Sequence, residues 1–104
     1  MRELWDYQIE SLKFWAGIVD GFRCDVASLV PVDFWKEARR RIQNVKKDAV
    51  LINEGSKFEN MAIAFDSSYS FGWHDILRRV YCDSESATQI RDFHKNLAEN
   101  MPCG

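Results

Sequence analysis

Two short apolar runs, each closed by a carboxylate and separated by an amphipathic helix, constrain this chain most. The first is Val19-Asp20-Gly21-Phe22-Arg23-Cys24-Asp25-Val26, and the second is Val50-Leu51-Ile52-Asn53-Glu54-Gly55. Between them Phe34, Trp35, Ala38, Ile42 and Val45 recur at helical spacing. Strands alternating with helices predict a parallel α/β sheet. Such a sheet carries chemistry at the C-terminal ends of its strands, where loops and helix N-termini form a rim. Asp25 and Glu54 both stand at such ends. Arg23, two residues before Asp25, projects from the same strand face, because side chains alternate with period two. A guanidinium there is expected to keep Asp25 ionised and aimed.

The pattern extends along the chain. A helix is predicted over 3–16, with Trp5, Ile9, Leu12 and Ala16 inward and Gly17 as its stop. A strand over 18–26 and a loop over 27–30 follow, then a helix over 32–45 with Pro31 near its start. The almost wholly apolar stretch 49–53 reads as a buried strand, and 61–65 as a third, ending at Asp66-Ser67-Ser68. Helices are predicted over 73–81 and over 85–100. Asp83-Ser84 caps the last, and Ile90, Phe93, Leu97 and Met101 face inward. In the 32–45 helix Asp33 and Glu37 come early, and Arg39, Arg40 and Arg41 come late. That order complements the helix dipole, so the basic run reads as a solvated face and not a binding patch.

Composition excludes several partners. A formal net charge of -2 gives no reason to expect nucleic acid or an anionic membrane. No stretch is apolar enough to span a bilayer, and charged residues follow Met1 where a signal peptide would be apolar. That favours a cytoplasmic setting over secretion. Cys24, Cys82 and Cys103 form an odd set without metal-like spacing and read as reduced thiols. No metal ligand set is expected, and His94 lacks a partner acid at metal spacing.

Asp20-Gly21-Phe22-Arg23-Cys24-Asp25 resembles the Asp-Gly-Phe-Arg-x-Asp nucleophile strand of the alpha-amylase family of glycoside hydrolases. The strand ending at Glu54 is similar to that family's next one, which carries the general acid/base. The resemblance implies a partial TIM (β/α)8 barrel, with about three of the eight parallel strands and their flanking helices. Residues 1–104 are then an internal segment of a catalytic barrel, incomplete at both ends. The segment stops after Met101-Pro102-Cys103-Gly104, where the family pattern would enter its seventh strand.

The resemblance also implies a retaining glycoside hydrolase or transglycosylase acting on α-glucosidic bonds of starch, glycogen or maltooligosaccharides. Asp25 would be the nucleophile, held by Arg23. Glu54 would be the general acid/base, a role that needs a raised pKa. Asp66 and Tyr69, just past the third strand signal, are candidates to line the sugar site. A turn Asp and a packing Tyr are the ordinary alternatives. The family's His-Asp dipeptide belongs on a late strand, whereas His74-Asp75 opens a helix here, so the third carboxylate is expected to be missing. No cofactor is implied, although the parent could hold a structural calcium. The partners are the α-glucan substrate and the remainder of the barrel. The alternatives are a non-catalytic amylase-like domain or a truncated, inactive product.

Overall fold

The computed structural model describes residues 1–100, which fall into two compact units, Met1–Tyr69 and the segment from Ser70 onward. The first contains α1 (Arg2–Ala16), β1 (Gly21–Cys24), a 3-10 turn (Ala27–Leu29), α2 (Val32–Val45), β2 (Val50–Asn53), α3 (Phe58–Ile63) and β3 (Ser67–Ser68). The strands lie in the order β1-β2-β3, and both pairings are parallel. Helix α2 is the crossover that a parallel β1–β2 pair requires.

Helices α1 and α2 cover one face of the sheet. Ile9 of α1, Ala38 and Ile42 of α2, and Leu51 of β2 are almost wholly buried in the resulting core. An edge-to-face chain runs Trp5–Phe34–Trp35–Phe65, with ring centroids 5.6, 5.0 and 5.2 Å apart. Each such pair contributes about 0.5–1.5 kcal/mol beyond its buried area. The buried Trp35 indole N–H donates to the Ala27 carbonyl at 2.9 Å, as a polar atom in a core must find a partner. Gly21 is dictated by packing. A Cβ there would run into the Val50 backbone, so only glycine lets β1 lie this close to β2.

The basic run of α2 is more than a solvated face. Arg41 reaches across to Asp6 and Glu10 of α1 at 2.8 and 2.5 Å, and Arg40 pairs with Glu37. Arg39 makes a two-pronged pair with Asp66 at 2.8 and 2.9 Å and also donates to the Ala64 carbonyl. Asp66 in turn accepts the Leu51 N–H at 2.9 Å. This link ties α2, β2 and the chain entering β3 together.

Two expectations are corrected. The strand over 61–65 is not formed; Phe58–Ile63 is helical and β3 is only Ser67–Ser68. A short apolar run fits a buried helix as well as a strand, and nothing in its periodicity separates the two. The buried Asn60 amide, donating to the Ala27 carbonyl at 3.2 Å, fastens α3 in place. The strand over 18–26 contracts to Gly21–Cys24, with Ile18 and Val19 left exposed.

The second unit holds α4 (Phe71–Cys82) and α5 (Thr88–Asn100), joined by ring contacts of Trp73 with Phe93 and His94. Helix α5 begins three residues later than expected, because Ser84 adopts a left-handed backbone and the Ser86 hydroxyl accepts the Thr88 N–H. His74 and Asp75 lie in the opening turn of α4, as the sequence pattern predicts. Asp75 pairs with Arg78 and Arg79. Met101 and Cys103 lie outside the described residues.

Pairing with Arg39, against some opposition from desolvation and with help from the Leu51 N–H, holds the Asp66 pKa below its ordinary value. The stability this contributes is complete above the unfolded aspartate value of about 3.9 and is lost as pH falls through the depressed folded value. Asp66→Asn should therefore cost about 1–2 kcal/mol at pH 7, discounted for partial exposure. In urea melts its deficit against wild type should shrink at acid pH.

Candidate active site

Register decides what the strand ends present. Cys24 lies beside Asn53, and Asn53 lies beside Ser68. The residues that follow, Asp25, Glu54 and Tyr69, therefore leave the three strands in one layer at their C-terminal ends. Neighbouring strands are about 4.8 Å apart, so the three side chains share one small space. Alternation points Arg23 to the same face as Asp25 and Glu54, while Cys24 turns into the helix-covered core.

Arg23 sits at the middle of the group. One guanidinium nitrogen donates to Glu54 Oε1 at 2.5 Å, and another lies 3.5 Å from Asp25 Oδ1. Its carbon is 5.4 Å from the centre of the Tyr69 ring, a cation–π contact. Glu54 Oε2 accepts the Val26 N–H at 3.0 Å, and the Glu54 N–H donates to the Cys24 carbonyl at 3.1 Å. The Glu54 side chain is 24% exposed and that of Asp25 is 74% exposed. Arg23, Asp25, Glu54 and Tyr69 thus lie together at the strand ends. Asp66 does not join them; its carboxylate is committed to Arg39 and the Leu51 N–H, on the helix side of the sheet.

The directions of the two carboxyl pKa shifts are the reverse of the expected ones. Asp25 has its pKa raised, first by a side-chain hydrogen bond with Glu54, then by the charge of Glu54 and by desolvation, with Arg23 opposing. Glu54 has its pKa lowered, first by the same bond to Asp25, then by the Val26 N–H, with desolvation opposing and Arg23 assisting. Arg23 lies closer to Glu54 than to Asp25 and assists the lowering of the Glu54 pKa, after the Asp25 bond and the Val26 N–H.

Sequence reasoning missed the Val26 amide. A backbone N–H has no residue-type signature, and a valine at φ 45 leaves no trace in a sequence. Cys24 is inert, its thiol pushed up to about 11 by burial. A cavity of about 470 Å³ lies between α1, β1 and the start of α2, lined by Trp5, Leu12, Phe22, Leu29, Phe34 and others, without a carboxylate. It offers no acid–base chemistry. Among the described residues no cluster of His, Cys, Asp and Glu could hold a metal, and no helix is long and apolar enough to cross a membrane.

Known proteins resemble the chain in sequence and fold. No protein-family model matches the chain. The alpha-amylase MalA of Haloarcula japonica is 31% identical over 74 residues, which cover 69% of this chain and 11% of that protein. The crystal structure of an alpha-amylase from Lactobacillus plantarum superposes with a TM-score of 0.90 at 28% identity, covering 98% of this chain and 28% of its own. A maltogenic alpha-amylase from Thermotoga neapolitana does so with a TM-score of 0.87 at 34% identity, over 98% of this chain and 24% of its own. The chain belongs to the alpha-amylase family.

As an alpha-amylase-family chain it has an α/β fold that is part of a TIM barrel, with three parallel strands and their helices. It spans about a tenth of the length of the Haloarcula relative and about a quarter of the solved chains.

The site geometry predicts the order of titration. In side-chain carboxyl ¹³C NMR, Glu54 should lose its proton below the ordinary glutamate range and Asp25 above the ordinary aspartate range. Arg23→Gln should raise the Glu54 midpoint more than it raises that of Asp25. The opposite order would show that Arg23 serves the aspartate in solution.

Proposed function

We propose that this chain is the segment of a retaining enzyme that carries both the nucleophile and the acid/base for α-glucosidic bonds, in a hydrolase or transglycosylase. The carrying observation is the convergence of Arg23, Asp25 and Glu54 on neighbouring parallel strand ends. The related proteins described as alpha-amylases and a maltogenic alpha-amylase support the substrate class, starch-type glucans.

In the first half-reaction the Asp25 carboxylate attacks the anomeric carbon while Glu54 gives its proton to the leaving glycosidic oxygen. The C–O bond to the leaving sugar breaks, and a glycosyl ester to Asp25 forms. In the second half the Glu54 carboxylate takes a proton from water, or from a hydroxyl of an acceptor sugar, as that oxygen attacks the ester-linked carbon. Asp25 leaves as a carboxylate. The lowered pKa of Glu54 suits the base half more closely than the acid half. Entry of a sugar ring must part the two carboxyls, and the Arg23 guanidinium, already in reach of both, is the group that can follow Asp25. The Tyr69 ring beside Arg23 offers a flat apolar face for a pyranose.

The isolated chain should not turn over. Among the described residues three strands leave two sheet edges unpaired where a closed barrel has none, and the His-Asp dipeptide His74-Asp75 lies on α4. Positioning of a substrate fails when its clamping residues are absent.

The test replaces the matching segment of the Lactobacillus plantarum alpha-amylase with this chain. Turnover of maltooligosaccharide should appear there, and Asp25→Asn or Glu54→Gln should each lower kcat by about a thousandfold or more. Arg23→Lys should also lose activity, because an ammonium cannot replace the planar fork. Unchanged turnover in the Asp25→Asn or the Glu54→Gln graft would remove the replaced carboxylate from the mechanism and overturn the reading.

A further inference from the structure

Val26 separates Asp25 from the 3-10 turn and adopts φ 45, ψ 37. L-residues avoid this left-handed region, β-branched ones above all, because Cβ crowds the following carbonyl. Such a conformation persists only where the surroundings over-determine it. Here they do. The Trp35 indole and the Asn60 amide both donate to the Ala27 carbonyl, at 2.9 and 3.2 Å, and Lys57 Nζ donates to the Ser28 carbonyl at 3.0 Å. Gly55, immediately after Glu54, packs against Ser28 so closely that an added Cβ would collide with Ser28 Oγ. The loop after β2 therefore grips the turn after β1 from several sides. What the grip achieves is at the other end of Val26, whose N–H donates to Glu54 Oε2 at 3.0 Å while Arg23 takes Oε1.

We propose that Val26 is a positioning residue, its backbone amide aimed by the seating of Ser28 on Gly55 so that it fixes the Glu54 carboxylate against Asp25. This builds on the assignment of Asp25 and Glu54 as the reacting pair and adds how that pair is held. Of the two donors to Glu54, Arg23 is a side chain that can swing, whereas the amide belongs to a pinned turn. An N–H binds a carboxylate better than a protonated acid. The turn therefore supports Glu54 when it is ready to take a proton from water or an acceptor hydroxyl. Ser28 Oγ and Asn53 Oδ1, both shielded, make no hydrogen bond on the two sides of Gly55, so this seat depends on the missing side chain and not on a polar link. The charged and titratable groups around Glu54 are Arg23, Asp25 and Tyr69 at the strand ends and Lys57 on the following loop.

The experiment follows the Glu54 carboxyl by ¹³C NMR titration in the full chain, with amide dispersion and thermal melting as controls for folding. Gly55→Ala should push Ser28 away, draw the Val26 amide off Glu54 and raise the Glu54 midpoint by about half a pH unit or more. Adding Ser28→Gly to Gly55→Ala removes the colliding atoms and should restore the midpoint. A folded Gly55→Ala chain with an unmoved midpoint, or a double variant that does not recover it, would overturn the proposal. Where Gly55→Ala does not fold, Val26→Gly decides. Glycine adopts the left-handed backbone freely, so its midpoint should match wild type with a higher melting temperature, and an upward-shifted midpoint or a lower melting temperature would count against the proposal. None of these readouts measures turnover. Failure of the catalytic assignment would appear only in the grafted enzyme and is thereby kept separate.

Discussion

Parallel, in-register pairing of β1 with β2 is the constraint on which the rest of the structure depends. It needs a glycine at position 21, because a side chain there would meet the Val50 backbone. It also needs α2 as a crossover, and α2 is held by Ile42 and Ala38 in the core and by Arg41 and Arg39 at its sides. Once Cys24 is beside Asn53, two carboxylates with no sequence proximity become neighbours. A slip of one residue would turn Asp25 or Glu54 into the helix-covered face and dismantle the site.

Proximity then creates an electrostatic problem. The two carboxyls shift in opposite directions, Asp25 up and Glu54 down, with their bond to each other as the first cause. Donors add to it. Glu54 has the shorter contact to Arg23 and the Val26 amide, whereas Asp25 is largely exposed and has the longer contact to Arg23. In a double displacement the nucleophile is ionised when it attacks and the acid/base when it accepts the proton. A single guanidinium placed between the two is suited to that, since it reaches either without leaving the site.

The same side chains also separate chemistry from support. Asp66 looked like a rim residue because it follows an apolar run, but its bidentate bond to Arg39 makes it a brace between α2 and the entrance to β3. Tyr69, three residues on, reaches the rim because it follows Ser68, the residue paired with Asn53. Chain distance separates these two by little, while strand direction separates them by the thickness of the sheet layer.

The alternation of β1, α2 and β2, the bounds of α2 and the buried faces carrying Ile9, Ala38 and Ile42 were legible in the sequence. They rest on local periodicity and on a motif confined to one strand, and local patterns survive without a structure. The helix over Phe58–Ile63 was not legible, because the five apolar residues in a row at 61–65 satisfy either conformation and the deciding bond, Asn60 to Ala27, spans 33 positions. Nor could the sequence say which carboxylate Arg23 would favour, since alternation places it on a face without assigning its reach. Residue types alone determined that two acids and a guanidinium would share a strand-end layer. Only the tertiary structure decided the opposite directions of their pKa shifts, because these rest on the contact between the two carboxyls and on a backbone amide, aimed by a left-handed valine and a side-chain-free contact at Gly55, that no residue type announces.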